Sequence, residues 1–447
     1  MAVTIFIKLL KMKFYNRKNE LRIMSDIRIR SAQNSQMTVI VGRRRIGKTR
    51  LILRSLEREK FLYFFVAKKN EKLLCEEFIE EAKKQLNIPV FGEINKFKDL
   101  FALLMQTAEE ENFTLVIDEF QEFRSINSAI YSEMQNIWDR KKNQTKMNLI
   151  LSGSIYSLMT KIFENSKEPL FGRATERINL KAFDIITLRK ILKENNINYN
   201  NKDLLSFYIL TGGVAKYVEL FVEKKALTFN SMLNEIFRTN SYFLDEGKNI
   251  LIEEFGKEYS TYFSILALIA SSKTSRSDIE SILNKNVGGY LDRLEKEYCI
   301  IKKIKPIFAK QGSRVVKYVI EDNFLNFWFR FVYKYRSAIE IGNYDYVKNI
   351  VIRDFDTYSG RFLEKYFVEK LSLSKEYSII GNYWEKGNKN EIDIIALNQV
   401  KRKAVFVEVK MNDKKISIPL LKEKSKHLVS KIPFYSTSYE GLSINDM

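Results

Sequence analysis

Apolar residues follow two rhythms along this chain, and each change of rhythm marks an element. Met37-Thr38-Val39-Ile40 is a short β-type run, and Arg50-Leu51-Ile52-Leu53-Arg54-Ser55-Leu56 has helical apolar spacing. Phe61-Leu62-Tyr63-Phe64-Phe65-Val66 predicts a second buried strand, followed by helices over 72–86 and 97–109. Phe113-Thr114-Leu115-Val116-Ile117 predicts a strand that ends in two acids, Asp118 and Glu119. Leu149-Ile150-Leu151 predicts the next, running into Ser152-Gly153-Ser154. Strands of this kind, buried on both faces and separated by helices, belong to parallel sheets. From Phe183 to about Lys225 the pattern is helical, broken by the glycine turn Thr211-Gly212-Gly213-Val214-Ala215-Lys216-Tyr217. The stretch fits a small helical lid, and the turn either brings Lys216 towards the nucleotide or is a capped structural turn.

The stretch from Tyr259 to Ile320 predicts a winged helix-turn-helix. Its helices fall over 262–270, from a capping box at Ser277-Asp278-Ile279-Glu280, and over 287–297. Two alternating strands, 300–304 and 315–320, then flank a polar turn. The third helix mixes Asp292, Glu295 and Glu297 with Arg293 and Lys296, a poor match to phosphate. The wing, with Lys302, Lys303, Lys305, Lys310, Arg314 and Lys317, is a better one. The alternative is a winged helix used only for domain packing. Aromatic residues crowd 323–335 and read as core, on a helix leading to the last domain.

Between the first strand and the first helix stands Gly42-Arg43-Arg44-Arg45-Ile46-Gly47-Lys48-Thr49. The spacing G-x-x-x-x-G-K-T is that of a phosphate-binding loop. Its glycines let backbone N–H groups turn inward around phosphates, and the helix N-terminus adds partial positive charge. Lys48 is expected on the β- and γ-phosphates of ATP, and the Thr49 hydroxyl on Mg²⁺. Asp118 is expected to hold the same ion through its water shell, and Glu119 to orient and polarise the attacking water. Ser152 or Ser154 stands where a γ-phosphate sensor would lie, or forms an ordinary strand-to-helix turn. Arg173 follows the turn Pro169-Leu170-Phe171-Gly172. It is either an arginine finger, acting on its own or a neighbouring subunit, or a solvated surface residue. Upstream, Asn16-Arg17-x-x-Glu20-Leu21 opens a helix with Asn16 as N-cap, lying beside the nucleotide base or on the surface.

A second constellation lies near the C-terminal end. A helix over 356–371 contains Glu364, and Glu391-Ile392-Asp393-Ile394-Ile395-Ala396 and Ala404-Val405-Phe406-Val407-Glu408-Val409-Lys410 predict a hairpin. With period two, Glu408 and Lys410 share a face, and Asp393 can meet them from the neighbouring strand. That is the D…E-x-K arrangement of metal-dependent nucleases. Asp393 and Glu408 would bind Mg²⁺, with Glu364 completing the shell. Lys410 would orient the water or stabilise developing negative charge. A solvent-facing hairpin of alternating charge is the plainer alternative, but the residues around the acids are apolar. Lys401, Arg402, Lys403, Lys414, Lys415, Lys422, Lys424 and Lys426 suit either a nucleic-acid backbone or solvent.

Composition narrows this picture. A chain of 447 residues is too long for one ordinary core. Its net charge of +20 favours a polyanionic partner, nucleic acid first, although a lysine-rich genome gives the same balance. Cys75 and Cys299 are the only cysteines, which excludes a disulfide framework and fits a reducing cytoplasm. His427 is the only histidine, so catalysis must rest on carboxylates, lysines and bound metal rather than on a histidine-centred triad. No apolar run approaches the ~20 residues of a membrane span. Ala2 to Leu10 is apolar but short, with no cleavage-type site after it.

Taken in order, these pieces resemble the archaeal-type ATPase family of prokaryotes, close to the AAA+ and STAND ATPases. The resemblance rests on Phe14-x-Asn16-Arg17-x-x-Glu20-Leu21, the Gly42–Thr49 loop, Asp118-Glu119, Ser152-Gly153-Ser154, Leu170-x-Gly172-Arg173 and Thr211-Gly212-Gly213-x-x-Lys216-Tyr217. The last part is similar to PD-(D/E)XK nucleases, with Ile392-Asp393 where the proline–aspartate pair usually stands. The resemblance implies an α/β protein with a P-loop AAA+-like ATPase core over 1–180 and a helical lid over 181–255. A winged helix-turn-helix over 256–325 and a restriction-endonuclease-like α/β domain over 326–447 complete it. It implies a cytoplasmic ATP hydrolase that uses ATP and Mg²⁺, acts on DNA and not at a membrane, and leaves homo-oligomerisation open. The alternative is a nucleotide-dependent switch or scaffold with an inactive nuclease-like interaction domain.

Overall fold

A computed structural model describes residues 13–447 except 91, 256, 257, 311, 314, 386, 388 and 389. The apolar stretch Ala2–Leu10 and Arg314 therefore lie outside the described residues. The chain divides into two compact units, one ending at Ala182 and the other beginning at Phe183.

The first unit is a parallel sheet with helices packed on it. Its strands are β1 (Gln36–Val41), β2 (Phe61–Phe65), β3 (Phe113–Asp118), β4 (Met147–Gly153) and β5 (Glu176–Asn179). They lie in the order β2-β3-β4-β1-β5, every pair parallel. β1, β3 and β4 are buried along their whole length, as uninterrupted apolar strands covered on both faces must be. The helices are α1 (Lys18–Ser31), α2 (Lys48–Ser55), α3 (Glu71–Leu86), α4 (Phe97–Glu110), α5 (Ile130–Lys141) and α6 (Tyr156–Glu164). Phe64 of β2, Phe78 of α3, Phe97 and Phe101 of α4 and Trp138 of α5 share one core. Because β4 separates β1 from β3, the carboxyl ends of the three strands stand side by side. They carry the glycine loop, Ser152-Gly153-Ser154 and Asp118-Glu119.

In the second unit, helices α7 (Ile185–Asn195), α8 (Asn201–Thr211), α9 (Ala215–Glu223), α10 (Phe229–Ile236) and α11 (Tyr242–Phe255) come first. Then follow α12 (Tyr259–Ala270), α13 (Arg276–Leu283), α14 (Gly288–Lys296) and an antiparallel hairpin of β6 (Ile301–Ile304) and β7 (Lys317–Ile320). The cap of α13 lies two residues before the expected one, because the Ser275 hydroxyl, not that of Ser277, accepts the Asp278 N–H at 3.1 Å. The aromatic stretch is not one α-helix. It runs as α15 (Asn323–Phe327), a π-helical turn over Trp328–Tyr333, and α16 (Arg336–Glu340). The last helix before the C-terminal sheet, α17 (Tyr344–Ser374), is 31 residues long and begins well before the expected Asp356. β8 (Ile379–Tyr383), β9 (Ile392–Asn398), β10 (Lys403–Lys410) and β11 (Ser436–Ser443) form a mixed sheet ordered β11-β10-β9-β8, with α18 (Ile418–Val429) packed on it.

α17 ties this unit together through long-range polar contacts. The Arg361 guanidinium donates to Ala270 O and Asn326 Oδ1 at 3.2 and 2.8 Å. The Lys365 ammonium donates to Asn323 Oδ1 at 2.7 Å and to Glu321 O. The Glu369 carboxylate accepts from Ile185 N and Tyr208 OH at 2.9 and 3.2 Å. Successive turns of one helix thus hold the first helices and the hairpin region.

Two glycines of this unit predict opposite outcomes. A Cβ on Gly247 of α11 would come within 2.2 Å of the Trp328 ring, whereas one on Gly360 of α17 would meet nothing within 4 Å. Gly247→Ala should therefore cost about 1–3 kcal/mol in urea unfolding. Gly360→Ala should stabilise by about 0.5–1 kcal/mol.

Candidate functional site

β1 leads directly into the glycine loop. A Cβ on Gly42 would lie 2.8 Å from Leu180 O and 3.2 Å from Ile46 Cγ2, so the loop closes only around glycine there. Gly47 has φ 97° and caps α2, in the left-handed region that glycine enters at no steric cost. Arg45 shares that region at φ 69°. Arg43 and Arg45 are half-buried, Arg44 is exposed and Ile46 is buried. Helix geometry leaves the first N–H groups of α2 without intrahelical partners, which suits an anion. The Lys48 ammonium lies across the loop, donating to Gly42 O and Arg43 O at 2.8 and 3.2 Å.

Asp118, only 4% exposed, stands beside this loop at the end of β3. Its Oδ2 accepts from the Thr49 hydroxyl at 3.0 Å and from the Tyr63 hydroxyl at 2.5 Å. Its Oδ1 accepts the Glu119 N–H at 3.0 Å. Sequence reasoning missed Tyr63. Phe65 is the register partner of Asp118, so Tyr63, two residues earlier, shares its face of the sheet. Burial first, and then the Asp118 carboxylate, hold the Tyr63 phenol well above its ordinary range, so it remains a proton donor. Thr49 and Asp118 offer only oxygen, which fits a hard cation such as Mg²⁺.

Glu119 turns the chain into a left-handed conformation, φ 54°. Its Oε2 accepts from Ser154 Oγ at 2.7 Å, Ser154 N at 3.2 Å and Gln121 Nε2 at 2.7 Å. Of the two serines read as a sensor, Ser154 therefore reaches the acid. Ser152 lies two residues deeper in β4 beside Ile40, fully buried, its hydroxyl without a hydrogen-bond partner. Gly153 between them admits nothing larger, since a Cβ would lie 2.4 Å from both Gln121 Oε1 and Met159 Sδ.

One further expectation is corrected. Asn16 does not cap α1. Its Oδ1 accepts the Arg17 N–H at 2.8 Å, and Arg17 itself is the N-cap, with φ 71°. Arg17 is buried, donating to Lys181 O at 2.6 Å and pairing with Glu20. Arg173 reaches Phe171 O and the Asp139 carboxylate at 2.7 and 3.1 Å, partners outside the phosphate loop.

In the second unit the D…E-x-K residues do converge. The Lys410 ammonium lies 2.9 Å from Asp393 Oδ2 and 3.6 Å from Glu408 Oε1. Asp393 Oδ2 also accepts Val409 N–H at 2.7 Å, and Glu408 Oε2 accepts Ser417 N–H at 2.7 Å. Burial works to lower Lys410, but Asp393 and then Glu408 leave it above the ordinary lysine value. Burial pushes Glu364 up to about 8, helped by the charges of Asp393 and Glu391. The expected Mg²⁺ shell of Glu364, Asp393 and Glu408 is not formed. Among the described residues no three acids, histidines or cysteines are disposed to hold a metal ion. The ammonium of Lys410 pairs with both carboxylates, and each also accepts one main-chain N–H.

Comparison with known proteins places these sites in context. The model of an ATPase domain predominantly from Archaea matches residues 14–221. The model of archaeal and bacterial proteins of unknown function matches residues 328–427. The uncharacterized protein MJECL04 of Methanocaldococcus jannaschii is 31% identical over 421 residues, covering 90% of this chain and 88% of that protein. Among solved structures, the Walker-type ATPase paby2304 of Pyrococcus abyssi is similar with a TM-score of 0.54 at 18% identity, covering 71% of this chain and 96% of that one. The ORC2 protein of Aeropyrum pernix, solved in ADPNP–ADP complexes, is similar with a TM-score of 0.50 at 15% identity, covering 76% and 96%. At these identities the structural likeness concerns the fold. No helix of the described residues is long and apolar enough to cross a membrane.

The state of Glu364 sets a pH dependence. Its folded value of about 8 lies above its ordinary 4.5. It therefore contributes stability at low pH that is lost as pH rises through that window, where charging the buried group opposes folding. Without divalent cations, resistance to urea should fall between those pH values in the wild type, and Glu364→Gln should flatten the slope. An equal slope in both would contradict the assignment.

Proposed function

We propose that this chain, which belongs to the archaeal-type P-loop ATPases, hydrolyses ATP in its first unit and couples that turnover to contact between DNA and its second unit. The observation that carries the first half is the shared Asp118 oxygen, which joins Thr49 of the phosphate loop to the strand bearing Glu119. The phosphates of ATP would lie within the Gly42–Thr49 loop, with Arg43, Arg44, Arg45 and Ile46 shaping its wall. Lys48 would exchange the carbonyls of Gly42 and Arg43 for β- and γ-phosphate oxygens. Thr49 and Asp118 would hold Mg²⁺, which when bound neutralises phosphate charge. Glu119 would accept the proton of the attacking water, and Ser154 and Gln121 keep its carboxylate oriented.

We read residues 1–180 as the ATPase core, 181–255 as a lid, 256–325 as a winged helix and 326–447 as a nuclease-like domain. Three helices followed by an antiparallel hairpin support the winged helix. The mixed sheet bearing Asp393, Glu408 and Lys410 supports the nuclease-like fold. The lysines of the hairpin and the net charge of +20 support DNA as the partner. A second reading, a nucleotide-dependent switch whose nuclease-like domain does not cut, has its own support: the Lys410 ammonium already pairs with both acids.

One experiment separates these readings. ATP turnover and cleavage of plasmid and single-stranded DNA are followed with Mg²⁺ or Mn²⁺ in wild type, Lys48→Ala and Asp393→Ala. Lys48→Ala should abolish ATP turnover, and unchanged turnover would sink the ATPase assignment. Cutting that disappears in Asp393→Ala establishes a nuclease. Intact ATP turnover with no cutting by wild type under any condition selects the switch.

A further inference from the structure

The hairpin β6–β7 is docked on the C-terminal sheet rather than free. Ile307 N–H donates to Asn382 O at 2.8 Å, and the Ile307 side chain packs against Gly381 and the core beneath the sheet. Lys317 pairs with Glu391 at 2.9 Å and lies 4.6 Å from the centre of the Trp384 ring. Glu391 is two residues from Asp393, and both it and Lys317 bear on the charge of Glu364. The hairpin therefore borders the Asp393–Glu408–Lys410 cluster.

Against the same hairpin opens a cleft of about 630 Å³. Its lining includes Arg276, Lys303, Lys305 and the hydroxyls of Ser277 and Tyr318, with Glu280 as its acid. Arg276 pairs with Glu280 at 2.8 Å. Lys303 and Lys305 form no ion pair among the described residues, so their charges are available to a ligand. Lys303 and Tyr318 are register partners on one face of the hairpin, whereas Lys317, adjacent in β7, points to the other. One strand thus presents Tyr318 to the cleft and Lys317 to the sheet.

We propose that this cleft binds the phosphodiester backbone of DNA, on the face of the hairpin opposite the one that borders the Asp393–Lys410 cluster. The cations and hydroxyls of this lining are the donors that phosphate oxygens use, and they position a strand without reading its sequence. The inference rests on the reading of the second unit as a DNA-contacting one. It makes the hairpin a wall of that unit's site.

The test uses the full chain with a fluorescein-labelled duplex and a labelled single strand of mixed sequence. Lys303→Ala/Lys305→Ala is compared with Lys83→Ala/Lys84→Ala, an equal loss of charge on α3, and with Lys303→Arg/Lys305→Arg. The cleft alanine variant should bind about tenfold more weakly, with the slope of log affinity against log salt reduced by about 2. The α3 variant and the arginine variant should bind like wild type. If wild type does not cut DNA but only the cleft alanine variant loses affinity, the nuclease reading fails and this inference stands. If the cleft and α3 variants lose affinity equally, or wild type cuts DNA and the cleft variant binds and cuts it as well, this inference alone is overturned. Absence of binding by wild type to either probe overturns it too.

Discussion

Taking a carboxylate out of water costs several kcal/mol unless its neighbours satisfy it. Asp118 is almost wholly buried, and its donors come from three places: Thr49 of the phosphate loop, Tyr63 of β2 and the backbone of Glu119. Satisfying this one acid therefore sets the position of α2 against the sheet, of β2 against β3, and of the turn that aims Glu119. The strand order makes this workable. With β4 between β1 and β3, the loop and the acid are close enough for a threonine hydroxyl to span them, and Ser154 arrives beside Glu119. The contact that closes the fold is thus the one that would place a cation beside phosphates.

The second unit obeys a similar rule with a different result. α17 places Arg361, Lys365 and Glu369 on successive turns, each bonded to groups of elements far away in the chain. Desolvation lowers the Lys365 ammonium and raises the Glu369 carboxyl from their ordinary values. The same helix carries Glu364 to the sheet, where Lys410 balances Asp393 and Glu408. In this arrangement the acids are stabilised by a lysine, and cleavage would require that balance to change.

What was legible in the sequence was local chemistry at fixed spacing. The Gly42–Thr49 loop, Asp118-Glu119 and the face shared by Glu408 and Lys410 follow from glycine geometry and strand period, and all appear in the structure. Long-range pairing was not legible. Tyr63 reaches Asp118 over 55 residues and Lys317 reaches Glu391 over 74, and no periodicity marks either meeting. Ser152 and Ser154 share a strand parity, so only the depth of β4 in the sheet separates them. Asn16 has the chemistry of a cap, yet the left-handed backbone at Arg17 spends its side chain on the adjacent N–H. Arg173 meets Asp139 of α5, 34 residues away, another pairing that no spacing marks.

The central claim is that Glu119 acts on water while Asp118 and the loop hold the nucleotide. Measuring ATP affinity and single-turnover hydrolysis on the same Glu119→Gln preparation tests it most directly. Glutamine keeps the size and can still accept the Ser154 hydrogen bonds, but cannot take a proton. The account predicts ATP affinity within a few-fold of wild type and hydrolysis slowed by about 10²–10⁴. Hydrolysis at the wild-type rate in Glu119→Gln would contradict it.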